Sequence, residues 1–161
     1  MKKSNTTIPL NDETDYGLCF ACGPRNQAGL NLHFELENNT IITSFQGREE
    51  HQGFPGQLHG GIISALLDEV MSRCSLLEDR WTMTAHMEVR FRQPILINQK
   101  VIAVGKMVRH RGKVWKASGI AKLPDGTIAA DANGTFIEVP KETLKSMGSN
   151  YPQLAKKWVS G

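Results

Sequence analysis

Leu58-His59-Gly60-Gly61-Ile62-Ile63-Ser64-Ala65-Leu66-Leu67-Asp68-Glu69 is the stretch on which the reading of this chain turns. Two glycines open it. Ile62, Ile63, Ala65, Leu66, Leu67, Val70, Met71, Cys74 and Leu77 then cover most of a helical circumference, so a helix is expected from about His59 to Glu78. A helix that is apolar on nearly every side is buried. A carboxylate in such a helix is expensive unless something satisfies it. Asp68 and Glu69 therefore need a reason to be there.

Geometry sharpens the point. A helix start offers unpaired N–H groups and a partial positive charge. Gly60 and Gly61 let another molecule approach that end closely, which suits the polarisation of a carbonyl. Asp68 follows Gly61 by seven residues, about 10 Å along the axis at roughly 1.5 Å per residue. One helix cannot bring that amide and that carboxylate to the same reacting atom. The simplest second supplier is the same helix of another copy, related by a two-fold axis.

The rest of the composition sets bounds. A chain of 161 residues, 40% hydrophobic and 22% charged, reads as one domain with a real core. Its net charge of +3 suits a small anionic ligand and does not indicate nucleic-acid binding. There is no apolar run of about 18 residues, so no membrane span is expected. Met1-Lys2-Lys3-Ser4-Asn5-Thr6-Thr7 has no apolar stretch behind its lysines, unlike a signal peptide, and a cytoplasmic location is the simplest expectation.

The three cysteines, Cys19, Cys22 and Cys74, are an odd count that argues against a disulfide framework. Cys19-Phe20-Ala21-Cys22 is a CxxC without a second one, so no metal site is expected. A redox role wants a strand-to-helix setting, and here Gly23-Pro24-Arg25-Asn26 makes a turn instead, so a structural or incidental role is the expectation, with metal-ligating and redox roles as the alternatives. Cys74 fits the buried helix face.

Along the chain, residues 1–17 read as a polar N-terminal arm. Leu30 to Leu36 alternates with period two, Asn38-Asn39 makes a turn, and Thr40 to Gln46 closes a hairpin. After the helix come four strand candidates: Thr82 to Arg92, Lys100 to His110, Lys113 to Lys122 and Thr127 to Val139. Strict alternation in the first puts Met83, Ala85, Met87, Val89 and Phe91 on one face and Thr84, His86, Glu88, Arg90 and Arg92 on the other. Residues 140–161 carry Leu144, Met147, Tyr151, Leu154 and Trp158 at helical spacing and read as a helical tail. The order hairpin, helix, meander gives an α+β class, an antiparallel sheet wrapped around one long central helix.

These residues match a family pattern. His59-Gly60-Gly61-x6-Asp68-Glu69, preceded by Phe54-Pro55-Gly56, resembles the hotdog-fold thioesterases of the PaaI-like group. Thr84 to Pro94, Cys22-Gly23-x-x-Asn26-x-x-Gly29-Leu30, the Asp125-Gly126 turn and Ala130 to Glu138 resemble other parts of that group, over residues 18–139. The resemblance implies an acyl-CoA thioesterase that needs no cofactor. It implies that Asp68 is the catalytic carboxylate, as general base or nucleophile. The amide of Gly60 or Gly61 would polarise the thioester carbonyl, and Thr84 would place the water or the carboxylate. It also implies that Asp68 and Thr84 face Gly60 of another subunit, in a homodimer or a dimer of dimers (a homotetramer). Many members carry Asn about six residues before the motif histidine. Here that place is near Gly53, so Gln52 or His51 would substitute.

Other residues keep two readings. His59 at the helix start supports the loop or joins catalysis. Glu69 is structural, with a partner across the interface as one option, or tunes Asp68. Arg90, Arg92, Arg109, His110, Arg111 and Lys113 form a basic rim for the phosphates of CoA or an ordinary solvated face, with Arg111-Gly112-Lys113 the best candidate for phosphate contact. No Gly-x-Ser-x-Gly surrounds any serine. The rival from another class is a non-catalytic acyl-CoA-binding protein, which would not need Asp68.

Overall fold

The computed structural model describes residues 6–7 and 15–150, and side chains over 17–146. Most of the N-terminal arm, and Tyr151, Leu154 and Trp158 of the tail, lie outside the described residues.

The strands are β1 (Thr6–Thr7), β2 (Phe34–Glu37), β3 (Thr40–Gln46), β4 (Thr82–Phe91), β5 (Lys100–Arg111), β6 (Val114–Lys122) and β7 (Ile128–Glu138). They form one sheet in the order β1-β2-β3-β5-β6-β7-β4, every neighbour antiparallel. The helices are α1 (Gly60–Ser72) and α2 (Lys141–Asn150). The hairpin turn between β2 and β3 is the expected Asn38-Asn39, both with positive φ (49° and 60°), as a tight two-residue turn requires. β2 is shorter than the alternation suggested. Leu30 and Leu32 are buried but precede it, and Asn31 between them takes a positive φ (48°) that breaks the strand.

α1 lies across the concave face and carries the chain from β3 over β5, β6 and β7 to the far edge, where β4 pairs with β7. It ends earlier than expected: Arg73–Glu78 tightens into a 3-10 helix, and Asp79 closes it in the left-handed region (φ 54°). The core is Ile63, Leu66, Leu67, Val70 and Met71 of α1 against Val101, Ala103, Ala117, Ala121, Ala132 and Phe136 of the sheet. Small residues let the helix sit down on the strands. A Cβ on Gly105 would fall 2.0 Å from the Val70 carbonyl oxygen.

The helix is not covered all round. Gly61 is exposed, and Ala65, Asp68 and Ser72 are only partly buried. Their spacing puts them on one face, opposite the sheet-facing residues. The reading of α1 as buried on every side thus fails within a single chain. Its carboxylate sits on the face that the chain's own sheet leaves uncovered.

Candidate active site

Asp68 projects from the middle of that uncovered face. Thr84 Oγ1 donates to its Oδ1 at 2.7 Å. Burial pushes the Asp68 carboxyl above the ordinary carboxylate range, while the Thr84 hydroxyl and the charge of Arg73 pull the other way. The result is a half-buried carboxylate whose proton affinity is raised, as suits a general base.

Thr84 reaches Asp68 because β4 is not a regular strand. Thr84 pairs with Phe136, but His86 already pairs with Thr135, so Ala85 is an extra residue. Thr84, Met87, Val89 and Phe91 then oppose Phe136, Gly134, Ala132 and Ala130, all buried on the helix side. His86, Glu88 and Arg90 oppose Thr135, Asn133 and Asp131 on the outer side. Unbroken alternation groups Thr84 with Glu88 and Arg90. The bulge overturns that, because one added residue exchanges the two faces of a strand.

The second half of the candidate site is the start of α1. His59 is the N-cap, and its Nδ1 accepts from the Gly61 N–H at 2.9 Å. That bond leaves the imidazole proton on Nε2. Gly61 N–H is therefore committed, whereas Gly60 N–H finds no acceptor among the described residues. Ser64 Oγ donates to Gly60 O (2.9 Å) and braces the first turn. The Phe91 ring stands beside it: a Cβ built on Gly60 would lie 3.5 Å from that ring. Phe91 is 54% exposed, and only its place in the alternation singled it out in the sequence. Gly60 precedes Asp68 by eight residues, about 12 Å along the axis, so the two halves do not converge within one chain.

The loop before the helix is held by its own side chains. Gln52 Oε1 accepts from Gly56 N–H (2.7 Å). His51 is buried, its Nδ1 accepts from Arg48 N–H (3.1 Å), and it packs against Phe45. Burial and then the Arg48 charge push the His51 imidazole below its usual range. Gly53 sits against the cap, and a Cβ there would lie 3.1 Å from His59 Cα.

The basic residues do not form one cluster. Arg90 pairs with Glu88 (3.1 Å) and Arg92 with Asp131. Glu88, Arg90 and Asp131 are on the outer face, away from Thr84. A second bulge, at Val108, divides the β5 group. Arg109 and Arg111 turn outward with Lys116 and Val114 as partners. His110 turns inward, stacks on buried Trp115 (4.3 Å between centroids, 11° between planes) and meets Glu78 at 3.4 Å. Arg111, Gly112 and Lys113 form the exposed β5–β6 turn.

Arg73 is a residue the sequence reading did not single out. It is buried, ion-paired with Glu69, and its guanidinium carbon sits 3.8 Å from the centroid of the Phe34 ring. Glu69 is thus partnered within its own chain. Glu at i and Arg at i+4 was the available signal. Among the described residues no group of three or more His, Cys, Asp or Glu is placed to hold a metal ion, and no helix is long and apolar enough to cross a membrane.

Residues 55–130 match the thioesterase superfamily model. Mouse acyl-coenzyme A thioesterase THEM4 is 26% identical over 121 residues, which is 72% of this chain and 52% of the mouse protein. The chain spans about half the length of the curated relatives it matches. Among solved structures, the E. coli PaaI protein from the phenylacetic acid degradation operon superposes with a TM-score of 0.65 at 10% identity, covering 69% of this chain and 81% of that one. Streptococcus mutans smu.793, solved bound to acetyl-CoA, gives 0.64 at 15% identity, covering 68% of this chain and 89% of its own. The fold is the hotdog fold: an antiparallel sheet around one long helix, as the resemblance implied.

Proposed function

We propose that this hotdog chain of the thioesterase superfamily hydrolyses acyl-CoA thioesters to free acid and CoA, in two sites formed across a homodimer interface. The observation that carries the reading is Asp68, held by Thr84 on a helix face that its own sheet leaves uncovered. The names of relatives matching about half their length support the reaction class.

Two open surfaces support the dimer. β4 ends the sheet, is ten residues long and carries Met83 and Phe91 at 57% and 54% exposure. A long, exposed edge strand is a template for pairing with another chain. Pairing two copies about a two-fold axis there sets the uncovered faces of their α1 helices toward each other. Gly60 of one copy then serves Asp68 and Thr84 of the other. A dimer of dimers would use the remaining surfaces.

In that site the thioester carbonyl oxygen accepts from Gly60 N–H at the positive end of α1, where the developing oxyanion is stabilised. His59 fixes the turn by holding Gly61 N–H. Asp68 takes a proton from water as the oxygen adds to the carbonyl carbon. Alternatively it adds itself, and water then opens the anhydride. The C–S bond breaks, the CoA thiolate leaves and takes up a proton. Thr84 orients the Asp68 carboxylate. Arg111 and Lys113 flank Gly112 at an exposed turn and supply the phosphate contact; Arg90 and Arg92 already hold carboxylates. The free thiols suit a reducing compartment such as the cytoplasm.

The test is release of free thiol from a panel of acyl-CoAs by the wild type and Asp68→Asn, with sedimentation to fix the oligomer. Turnover lost by orders of magnitude with binding retained supports the reading. Tight binding with no turnover by either protein overturns it and leaves an acyl-CoA-binding protein.

A further inference from the structure

The segment before β2 folds into a compact knuckle that the hydrolysis does not use. Gly23 N–H donates to Cys19 O (2.9 Å) and Arg25 N–H to Gly17 O (2.8 Å). Leu30 and Leu32 N–H tie to Phe20 O (2.8 Å) and Ala21 O (2.9 Å). A Cβ on Gly23 would fall 2.5 Å from the Cys19 nitrogen and 2.6 Å from its oxygen, so only glycine closes this turn as tightly. Inside it Cys19 and Cys22 stand three residues apart in one closed turn, and the charge of the buried Arg73 acts on both. Cys19 is partly exposed, whereas Cys22 and Cys74 are buried.

We propose that Cys19 and Cys22 are a redox pair, with Cys19 the thiolate that hydroperoxides oxidise and Cys22 the thiol that resolves it into a disulfide.

The assignment of roles follows from exposure, because the attacking sulfur must meet a solute and the resolving one need not. The charge balance agrees. The neighbouring Cys22 thiol, then the N–H groups of the turn and the Arg73 charge, hold Cys19 well below the range of an ordinary thiol. The Cys19 neighbour, then burial, pushes Cys22 upward, so the proton stays on Cys22.

Cys19 thiolate attacks the distal oxygen of a hydroperoxide. The O–O bond breaks, the alkoxide leaves and takes a proton from water, and Cys19 becomes a sulfenic acid. Cys22 sulfur then attacks Cys19 sulfur. The S–O bond breaks, and the departing hydroxide takes the Cys22 proton to leave as water. The peroxide is reduced by two electrons and the dithiol is oxidised by two. Closing the bond brings the two sulfurs of this one turn to about 2.05 Å. An external thiol reductant reverses the bond by exchange. Cys74 is an internal control: its thiol is buried and donates to Val70 O (3.3 Å), and burial alone pushes it up to about 12.

The experiment is a titration of the folded, reduced protein with hydrogen peroxide, read by intact mass and peptide mapping. The expected result is loss of two hydrogens per chain at peroxide levels that leave Cys74 alkylatable. The link should map within one chain between Cys19 and Cys22, and dithiothreitol should restore the mass. Cys22→Ser should stop at a sulfenic acid on Cys19 that dimedone traps, and Cys19→Ser should remove the reaction. Oxidation of Cys74 first, a link only between chains, or an unchanged wild-type mass while free cysteine in the same tube is consumed would overturn the proposal. The wild-type mapping stands even if a variant fails to fold, and its outcome is independent of whether the chain hydrolyses acyl-CoA.

Discussion

Thr84→Val separates the shape of the candidate site from its hydrogen bond. Valine is nearly isosteric with threonine and keeps the strand, but it removes the hydroxyl that donates to Asp68 at 2.7 Å. The acceptor is a carboxylate, and a hydrogen bond to a charged group is worth about 1.5–3 kcal/mol. If it is held through the transition state, its loss is about a 10- to 150-fold fall in kcat/KM. Thr84 is exposed in the single chain, so the lower end is expected if water enters the site and the upper end if a second copy seals it. The pH profile moves too. The Thr84 bond pulls the Asp68 carboxyl down against burial. Without it the carboxyl holds its proton to higher pH, so the acidic limb of kcat/KM shifts upward. Thr84→Ser restores the donor and should recover most of the rate and the original limb. The assay is free-thiol release at several pH values for all three proteins. A valine variant with unchanged kcat/KM and an unmoved limb would refute the assignment of Thr84 as a positioning residue for Asp68.

Other consequences are equally direct. Asp68 binds its proton more tightly folded than unfolded, so its ionisation costs stability that sets in above its ordinary value of 3.8 and is complete above the folded value. Asp68→Asn should therefore melt higher than the wild type at neutral pH, and the gain should vanish as pH falls through the carboxylate range; a lower Tm at neutral pH contradicts this. Gly105→Ala drives a methyl to 2.0 Å from the Val70 carbonyl oxygen, a backbone atom that cannot rotate away. A loss near or above the usual overpacking cost of about 1–3 kcal/mol is expected, and an unchanged thermal midpoint would show that α1 sits higher on the sheet. His59→Ala removes an N-cap and should cost about 0.5–2 kcal/mol by urea denaturation, with His59→Asn retaining most of it.

The parts of this fold governed by local sequence could be read directly. Asn38-Asn39 fixed one hairpin, four strand-forming runs marked β4 to β7, and the glycine-opened apolar run marked α1. The four runs do not form one meander: β5, β6 and β7 follow one another, but β4 crosses to the far edge and pairs with β7. Asp68 stood out because it was a carboxylate among aliphatic residues. The missing parts depended on distant partners. The Ala85 bulge is set by pairing with β7, so no periodicity within β4 announces it. The same holds for Val108, which parts His110 from Arg109 and Arg111 and splits what looked like one basic cluster. The early end of α1 at Ser72 reflects the tight turn that returns the chain to β4 through the Ser75–Thr82 hydroxyl contact (3.1 Å). The choice of Gly60 over Gly61 depends on which amide the His59 ring takes, a rotamer that the motif alone does not encode.

Ala85 also governs how this strand tolerates change over evolutionary time. On either side of it the same spacing carries opposite meaning, so the strand has two frames. Loss of one residue there would merge them. Either residues 82–84 invert, sending the Thr84 hydroxyl to solvent and Met83 toward the helix, or residues 86–91 invert, sending Phe91 outward and Arg90 into the core side. Neither outcome can be repaired by one substitution. Length at this point is thus under tighter constraint than identity. Only with the extra residue does one strand present both the Thr84 hydroxyl to Asp68 and the Phe91 ring to Gly60.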